Sequence, residues 1–458
     1  METYPTALIL GLAASGEAAA RLLLAEGTQV SIVDQNDDDV LRRRAASLEV
    51  LGAEVSLNQS DVPTGSYSVC VVSPGITADS AWIRSIQHRG IPVLSELELG
   101  WSRAGRAVAF GRKQVAGRVL AISGSNGKST LVKLCAAALT GAGRRVAVAG
   151  NYGPPVSQVV MECRNWDWLV LEVSSFQLET VSEFRPDIAV LLNVFPNHLD
   201  RHGDMAVYER LKARLFCRMG AGDIGVVPDV MAAKIAQWTA APNQWVTFGI
   251  SPHADVRYQE GIVTDRLGAK LLSLKDTLFA NEVLGVTAAA AMAAVRACGE
   301  SIDTLEGVIS AFQPLPHRMQ EIAVRQAVQV VDDSKATNLA AMMAALKMSH
   351  KPVRLIAGGL PKHESYAAAK PLLAEKVAGV YLIGTAAEGM VAAWKDVVPC
   401  RLSRTLEQAV QSAWMESQPG DTILLSPACA SFDQFQSFED RGHQFADIIQ
   451  TLAGEKKP

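Results

Sequence analysis

Short apolar runs recur along the chain, and each closes on a glycine or a polar residue before a helix-length stretch begins. In the first hundred residues the runs are 7–10, 30–33, 69–72 and 92–94. The first ends at Gly11-Leu-Ala-Ala-Ser-Gly16, with a helix expected over 17–26 and stopped by Gly27. Asp34 closes the second, Ser73-Pro-Gly75 the third and Ser95-Glu96 the fourth. A second series opens at 119–122 and leads into a helix over 130–139, with Leu131, Leu134, Cys135 and Ala138 on one side. Runs at 168–171 and 188–192 follow, and an Ala-rich helix over 286–298 closes the series. A third series comprises 328–331, 353–357, 380–383 and 422–425. Strands of this length alternating with helices predict α/β architecture with parallel sheets covered by helices. The chain turns basic and small across 104–113, and Gln313-Pro-Leu-Pro316 breaks the pattern again. The expected domains are therefore 1–105, 106–313 and 314–458.

Composition narrows the class. The 458 residues suit about three domains of ~100–200 residues each. With 49% hydrophobic and 20% charged residues, the chain can build full cores. A net charge of −4 and no basic tract argue against nucleic acid as a partner. The seven cysteines form no C-x-x-C pair and read as reduced thiols, neither a disulfide frame nor a zinc site. The start lacks the basic residues of a signal peptide, and no apolar stretch approaches membrane-spanning length. A cytoplasmic monomer without membrane insertion is the expectation.

The candidate chemistry centres on Ile122-Ser-Gly-Ser-Asn-Gly-Lys-Ser-Thr130, between a strand and a helix. Gly124 and Gly127 let the backbone curl around phosphate oxygens, with Ser125 and Asn126 between them. The helix start adds partial positive charge. Lys128 reaches the β/γ-phosphates, and Ser129 or Thr130 meets Mg²⁺. Ile122 stands where the first glycine of the longer motif would be, so this is the short G-x-x-G-K-[ST] form. Glu172, at the end of the 168–171 strand, is placed for Mg²⁺. His198, after the next strand, suits a second metal or a substrate oxygen, and equally a plain hydrogen bond. Lys212 lies one helical turn after Tyr208; burial there would depress its pKa and favour a carbamate, whereas exposure would leave an ordinary surface lysine. Arg318 offers a bidentate grip on phosphate. In Asp332-Asp-Ser-Lys-Ala-Thr-Asn338, Lys335 can meet an anion, Asp333 a ribose or ammonium, and Thr337 or Asn338 can cap the next helix. Ser426-Pro-Ala-Cys-Ala-Ser-Phe-Asp-Gln-Phe435, with Arg441-Gly442 beyond it, suits a carboxylate pocket or a tight loop. Gly11 to Gly16 with Asp34 fits any nucleotide held at a helix N-terminus; its middle glycine is replaced by Ala13.

Together these segments resemble the Mur ligases, the ATP-dependent amide-forming enzymes of peptidoglycan synthesis. The resemblance spans the chain and rests on Gly124–Thr130, Gly150-Asn151 with Gly153, Leu171-Glu-Val-Ser-Ser-Phe-Gln-Leu178, Asn197-His-Leu-Asp200, Tyr208 with Lys212, Leu315-Pro-His-Arg318, Asp333–Asn338, and Ser426–Ser431 with Asp433-Gln-Phe435 and Phe438. It implies a Rossmann-like first domain, a central P-loop ATPase-like parallel sheet and a Rossmann-like last domain. The Ser-Ser-Phe-Gln and Ser-Pro-Ala-Cys-Ala-Ser runs point to the member that adds D-glutamate to UDP-N-acetylmuramoyl-L-alanine. By that likeness Ala14, Ser15, Asp34, Gln35 and Gly75 line the uridine site. Asn151, Ser174 and His198 orient the muramoyl-alanine, and Glu172, His198 and carbamylated Lys212 join Ser129 around two Mg²⁺. Arg318, Asp333 and Lys335 close over ATP and the intermediate, while Thr337, Lys362, Ser431, Phe432 and Phe438 hold glutamate.

Three stretches depart from the family pattern. Asn281-Glu-Val-Leu-Gly-Val-Thr287 replaces an amide-rich Gly-x-His-Asn-x-x-Asn, Leu360-Pro361 stands where Asp-Gly is common, and Phe432 replaces leucine. Use of L-glutamate, another Mur or folylpolyglutamate-type ligation, an NAD-dependent oxidoreductase and a non-catalytic nucleotide-binding regulator are the competing readings. Closure of the third domain over the second is expected, to keep water from an acyl phosphate.

Overall fold

A computed structural model describes residues 3–104, 117–162, 165–239, 244–350, 352–362 and 365–454. The expected division between residues 105 and 106 lies outside them. Strands buried on both faces need nearly continuous apolar sequence, and the short runs form three such sheets. The first has five parallel strands in the spatial order Glu54–Ser56, Gln29–Val33, Thr6–Leu10, Val69–Val72, Val93–Ser95. The chain reverses direction across the sheet beside Thr6–Leu10, where α/β folds leave a ligand crevice.

The second sheet is larger than the sequence pattern foretold. Seven strands run parallel, in the order Val256–Gln259, Gln244–Gly249, Ile224–Pro228, Ile188–Leu191, Arg118–Ser123, Trp168–Glu172, Val146–Gly150. An antiparallel extension, Ile262–Asp265 and Lys270–Ser273, lengthens one edge. The third sheet runs Gln320–Arg325, Val328–Asp332, Thr422–Leu425, Val353–Gly358, Val377–Ile383, Cys400–Arg404, with only its first pair antiparallel.

Residues 3–194, 206–280 and 285–310 make one compact unit, carrying the first two sheets. Residues 195–205, 281–284 and 311–454 make the other, carrying the third. Within the first unit the helix Glu96–Ala104 serves two cores. Leu99 packs with Ile9, Leu23 and Val71, while Leu97 and Ala104 join the core of the second sheet. The same helix carries two buried carboxylates. Glu96 Oε1 accepts the Ser157 N–H at 2.6 Å, in the first turn of the helix Val156–Glu162. Glu98 accepts the N–H groups of Ser182 and Glu183, each at 2.7 Å. A Cβ on Gly100 would stand 2.7 Å from the Ser157 nitrogen, so the close approach of these two helices requires glycine there.

Burial pushes the Glu96 carboxyl up to about 7, against the pull of the N–H donor, and raises Glu98 for the same reason. Folding therefore favours protonated Glu96. The stability contributed by this site is full below the ordinary carboxyl range near 4.5 and is lost as pH rises through about 7. Glu96→Gln keeps an acceptor for Ser157 without a buried charge. It should gain on the parent by ~1 kcal/mol per unit between about pH 5 and about pH 7. Denaturant unfolding across that range measures the difference; a gap independent of pH rejects the charge argument.

Candidate active site

The phosphate-loop strand Arg118–Ser123 feeds a helix that begins at Lys128 and runs to Gly141, two residues earlier and longer than the apolar pattern alone suggested. Gly127 sits at φ 79°, and a Cβ there would stand 2.9 Å from Leu192 Cδ2. Asn193 holds the loop in shape. Its Oδ1 accepts from the N–H of Ser125 at 3.1 Å and of Asn126 at 3.0 Å, and its Nδ2 donates to the Asn126 carbonyl at 3.0 Å. The Lys128 ammonium donates to the Ser125 carbonyl at 3.1 Å.

Three sheet ends converge beside this loop. Ser129 Oγ donates to Glu172 Oε2 at 2.7 Å, and Asn151 Nδ2 donates to Glu172 Oε1 at 2.6 Å. Glu172 is only 2% exposed. Lys212 is 1% exposed, and its ammonium donates to the Gly124 carbonyl at 2.9 Å, 4.7 Å from the Tyr208 ring centroid. Burial drives its pKa well below the ordinary lysine range; nearby Lys128 pushes the same way, and Glu172 opposes both. The Tyr208 hydroxyl lies 3.1 Å from Ser125 Oγ, and burial raises its pKa to about 12. Ser174 caps the helix Ser175–Leu178 in a reciprocal pair with Gln177, directly after the Glu172 strand. Thr130, in the first helical turn, is half-buried.

The first sheet gathers its candidates at its carboxyl edge. Ala14 opens the helix Ala14–Ala25 with Ser15 beside it, Gln35 follows the strand Gln29–Val33, and exposed Gly75 follows Val69–Val72. Asp34 has a backbone role here. Its Oδ2 accepts the Leu12 N–H at 2.7 Å and its Oδ1 the Asn36 N–H at 2.9 Å, fixing the Gly11 turn to the next strand end.

The second unit holds its own constellation. His198 takes a left-handed φ of 57° and starts the short helix Leu199–His202. Lys362 Nζ donates to Thr337 Oγ1 at 3.4 Å and to Asn197 Oδ1 at 3.3 Å. Lys335 Nζ lies 3.4 Å from the Phe438 ring centroid. Asp333 accepts from Ser426 Oγ at 2.8 Å and the Met319 N–H at 3.1 Å; burial nevertheless lifts it to about 7, against the hydrogen bonds and the nearby Arg318 charge. Asn338, not Thr337, caps the helix Leu339–Met348 by accepting the Ala341 N–H. Ser431 is buried, whereas Phe432 is 70% exposed.

The middle of the chain, residues 122–298, matches the Mur ligase middle domain, and residues 317–429 match the Mur ligase glutamate ligase domain. The chain belongs to the Mur ligase family. It is 35% identical to the UDP-N-acetylmuramoylalanine--D-glutamate ligase of Acidobacterium capsulatum, over 98% of this chain and 96% of that protein. Identity to the protein of the same name from Frankia casuarinae is 36%, over 98% and 94%. Among solved structures, the MurF ligase of Thermotoga maritima in complex with ADP superposes with a TM-score of 0.62 at 16% identity, over 93% of this chain and 95% of that one. The MurC ligase of the same organism superposes with a TM-score of 0.58 at 15% identity, over 98% and 100%. Both are likenesses of fold.

Among the described residues, no three His, Cys, Asp or Glu side chains cluster into a ready metal site. The Glu172 carboxylate and the Ser129 hydroxyl instead offer hard oxygens of the kind Mg²⁺ takes, while Asn151 turns its amide nitrogen to the carboxylate. Sequence reasoning singled out Glu172, Ser129 and Lys212 but passed over Asn193, although it opens the same strand-end run as His198. Asn193→Ala removes three loop contacts at once. It should weaken binding of a nucleoside triphosphate analogue about tenfold or more, read by calorimetry, with the far-UV spectrum unchanged. Unaltered binding rejects the bracing role.

Proposed function

We infer that this chain is an ATP-dependent ligase of peptidoglycan synthesis that joins D-glutamate to UDP-N-acetylmuramoyl-L-alanine. The observation that carries the reading is end-to-end likeness to relatives bearing that name, at 33–36% identity, together with the buried Ser129–Glu172–Asn151 group against a phosphate loop. Residues 1–105 take the uridine end through Ala14, Ser15, Asp34, Gln35 and Gly75, with Asp34 also bracing the turn. Residues 106–313 hold ATP on Gly124, Ser125, Asn126, Gly127, Lys128, Ser129 and Thr130. Residues 314–458 hold glutamate through Thr337, Lys362, Ser431, Phe432 and Phe438.

The alanyl carboxylate attacks the γ-phosphorus and ADP leaves. The glutamate amine then attacks the acyl carbon, loses a proton and expels phosphate as the amide forms. A carboxylate, a triphosphate and a dicarboxylic amino acid must meet, so the protein supplies cations. Lys128 faces the β/γ-phosphates, and Arg318 and Lys335 face the acyl phosphate, with Asp333 setting the loop that carries Lys335. Asn151, Ser174 and His198 orient the acceptor. Glu172, Ser129, His198 and carbamylated Lys212 suit two Mg²⁺, whose chemistry is to neutralise phosphate charge. Burial holds the Lys212 pKa well below the ordinary lysine range, and the neutral amine is the form that adds CO₂, which supports the carbamate. The proposed setting is a cytoplasmic monomer working on small molecules; no helix among the described residues is long and apolar enough to cross a membrane.

Phosphate release with UDP-N-acetylmuramoyl-L-alanine, ATP and either glutamate enantiomer tests the reading. D-Glutamate should support turnover and L-glutamate should not; equal rates overturn the stereochemical assignment. Lys128→Ala should lower kcat on the order of 10²–10³. Lys212→Ala should be inactive and recover partly with added acetate or propionate, whereas no recovery at any concentration removes the carbamate.

A further inference from the structure

Arg441 is the second-largest fully buried side chain among the described residues, with no accessible surface, and no catalytic step above uses it. A guanidinium taken out of water is costly unless a carboxylate pairs with it. Among the described residues no carboxylate lies within ion-pair distance of Arg441. Every hydrogen-bond acceptor it has is neutral. Nε donates to Ser334 Oγ at 3.0 Å, Nη2 to the Ser334 carbonyl at 2.8 Å and the Cys429 carbonyl at 3.2 Å, and Nη1 to the Ala430 carbonyl at 3.5 Å. Burial lowers its pKa to about 10, so it stays charged at neutral pH.

Those acceptors lie on two separate loops. Ser334 stands between Asp333 and Lys335, and its hydroxyl donates in turn to the Phe438 carbonyl at 2.8 Å. Cys429 and Ala430 lead directly into Ser431. Ala430 also exchanges both backbone hydrogen bonds with Leu360, at 2.9 and 3.1 Å, two residues before Lys362. One guanidinium thus reaches the Lys335 loop and the Ser431 loop directly, and the Lys362 loop through a single bridge. An apolar side chain of equal volume would fill the space at lower cost, but it would not fix three loops in one register. Lysine would not replace it either. Its three donors radiate from one point, whereas the arginine fork spans both loops.

We propose that Arg441 is a positioning residue that sets the geometry of the glutamate pocket by bracing the loops that carry Lys335, Ser431 and Lys362. The proposal rests on the assignment of that pocket in the preceding section.

Steady-state kinetics on Arg441→Lys and Ser334→Ala, with melting temperatures, test it. The expected result is a KM for D-glutamate raised about tenfold or more in Arg441→Lys and about threefold or more in Ser334→Ala, with KM for ATP within about twofold of the parent. If Arg441→Lys does not fold, Ser334→Ala carries the test, because it removes one hydroxyl and leaves the buried charge its backbone acceptors. An unchanged KM for D-glutamate in a folded variant overturns the proposal. So does a parallel rise in both KM values with a lowered melting temperature, which is the mark of general loosening. Lys362→Ala separates the two layers of inference: if it leaves KM for D-glutamate unchanged, the pocket assignment itself fails, and the arginine's role with it.

Discussion

The hydrogen bond from Ser129 to the buried Glu172 carboxylate is the contact on which the phosphate half of this molecule depends. It ties the first turn of the phosphate-loop helix to the end of the neighbouring strand, and Asn151 closes the other oxygen from a third strand end. The sheet order makes this meeting obligatory, since Arg118–Ser123, Trp168–Glu172 and Val146–Gly150 lie side by side. Gly150 is part of the same constraint, because a Cβ there would stand 2.3 Å from the Glu172 carbonyl oxygen. A carboxylate so enclosed is tolerable only because both oxygens are engaged. Lys212 occupies the opposite situation: its ammonium donates to the neutral Gly124 carbonyl, and burial favours loss of its charge.

Much of the scaffold was legible because each buried parallel strand is a short apolar run bounded by glycine or a polar residue. The strand–loop–helix turn over 122–130 was legible because its glycines follow from local backbone needs. What stayed hidden depends on contacts distant in sequence. Asn193 braces Asn126 across 67 residues, and nothing beside it in the chain announces that partner. Glu96 read as part of a polar strand ending, yet it and Glu98 are buried acceptors for backbone N–H groups 61 to 85 residues away. Asp34 had the spacing of the acidic residue in a nucleotide-binding turn, but spacing could not show that its carboxylate also accepts two N–H groups at its own strand end. The antiparallel strands over 262–273 are short and mixed in polarity, so periodicity did not reveal them.

Charge burial follows a different logic in the second unit. His317 and Asp332 pair at 2.7 Å, Ser334 donates its N–H to the same carboxylate, and Asp333 is held by Ser426 and Met319. Arg441 completes this layer. A Cβ on Gly442 would stand 2.1 Å from His317 Nδ1, so Arg441 can reach the loops only because the next residue is glycine. Polar layers of this kind add little net stability, but their partners must be met together or the loops lose their arrangement. That cooperativity holds the loops around Ser334 and Cys429 in one arrangement.

The departures from the family pattern can be weighed against this frame. Leu360 is 40% exposed, while its backbone makes both hydrogen bonds of the bridge to Ala430; the path toward Lys362 is therefore set by main chain, which a change of side chain does not disturb. Phe432 likewise points outward, next to buried Ser431. The stretch 281–287 is a deeper change. A Cβ at Gly285 would stand 2.2 Å from the Tyr258 ring, whose hydroxyl donates to the Ala280 carbonyl at 2.9 Å. The aromatic ring fills the space over Gly285, and a larger residue there would force the helix away from the sheet unless the tyrosine moved.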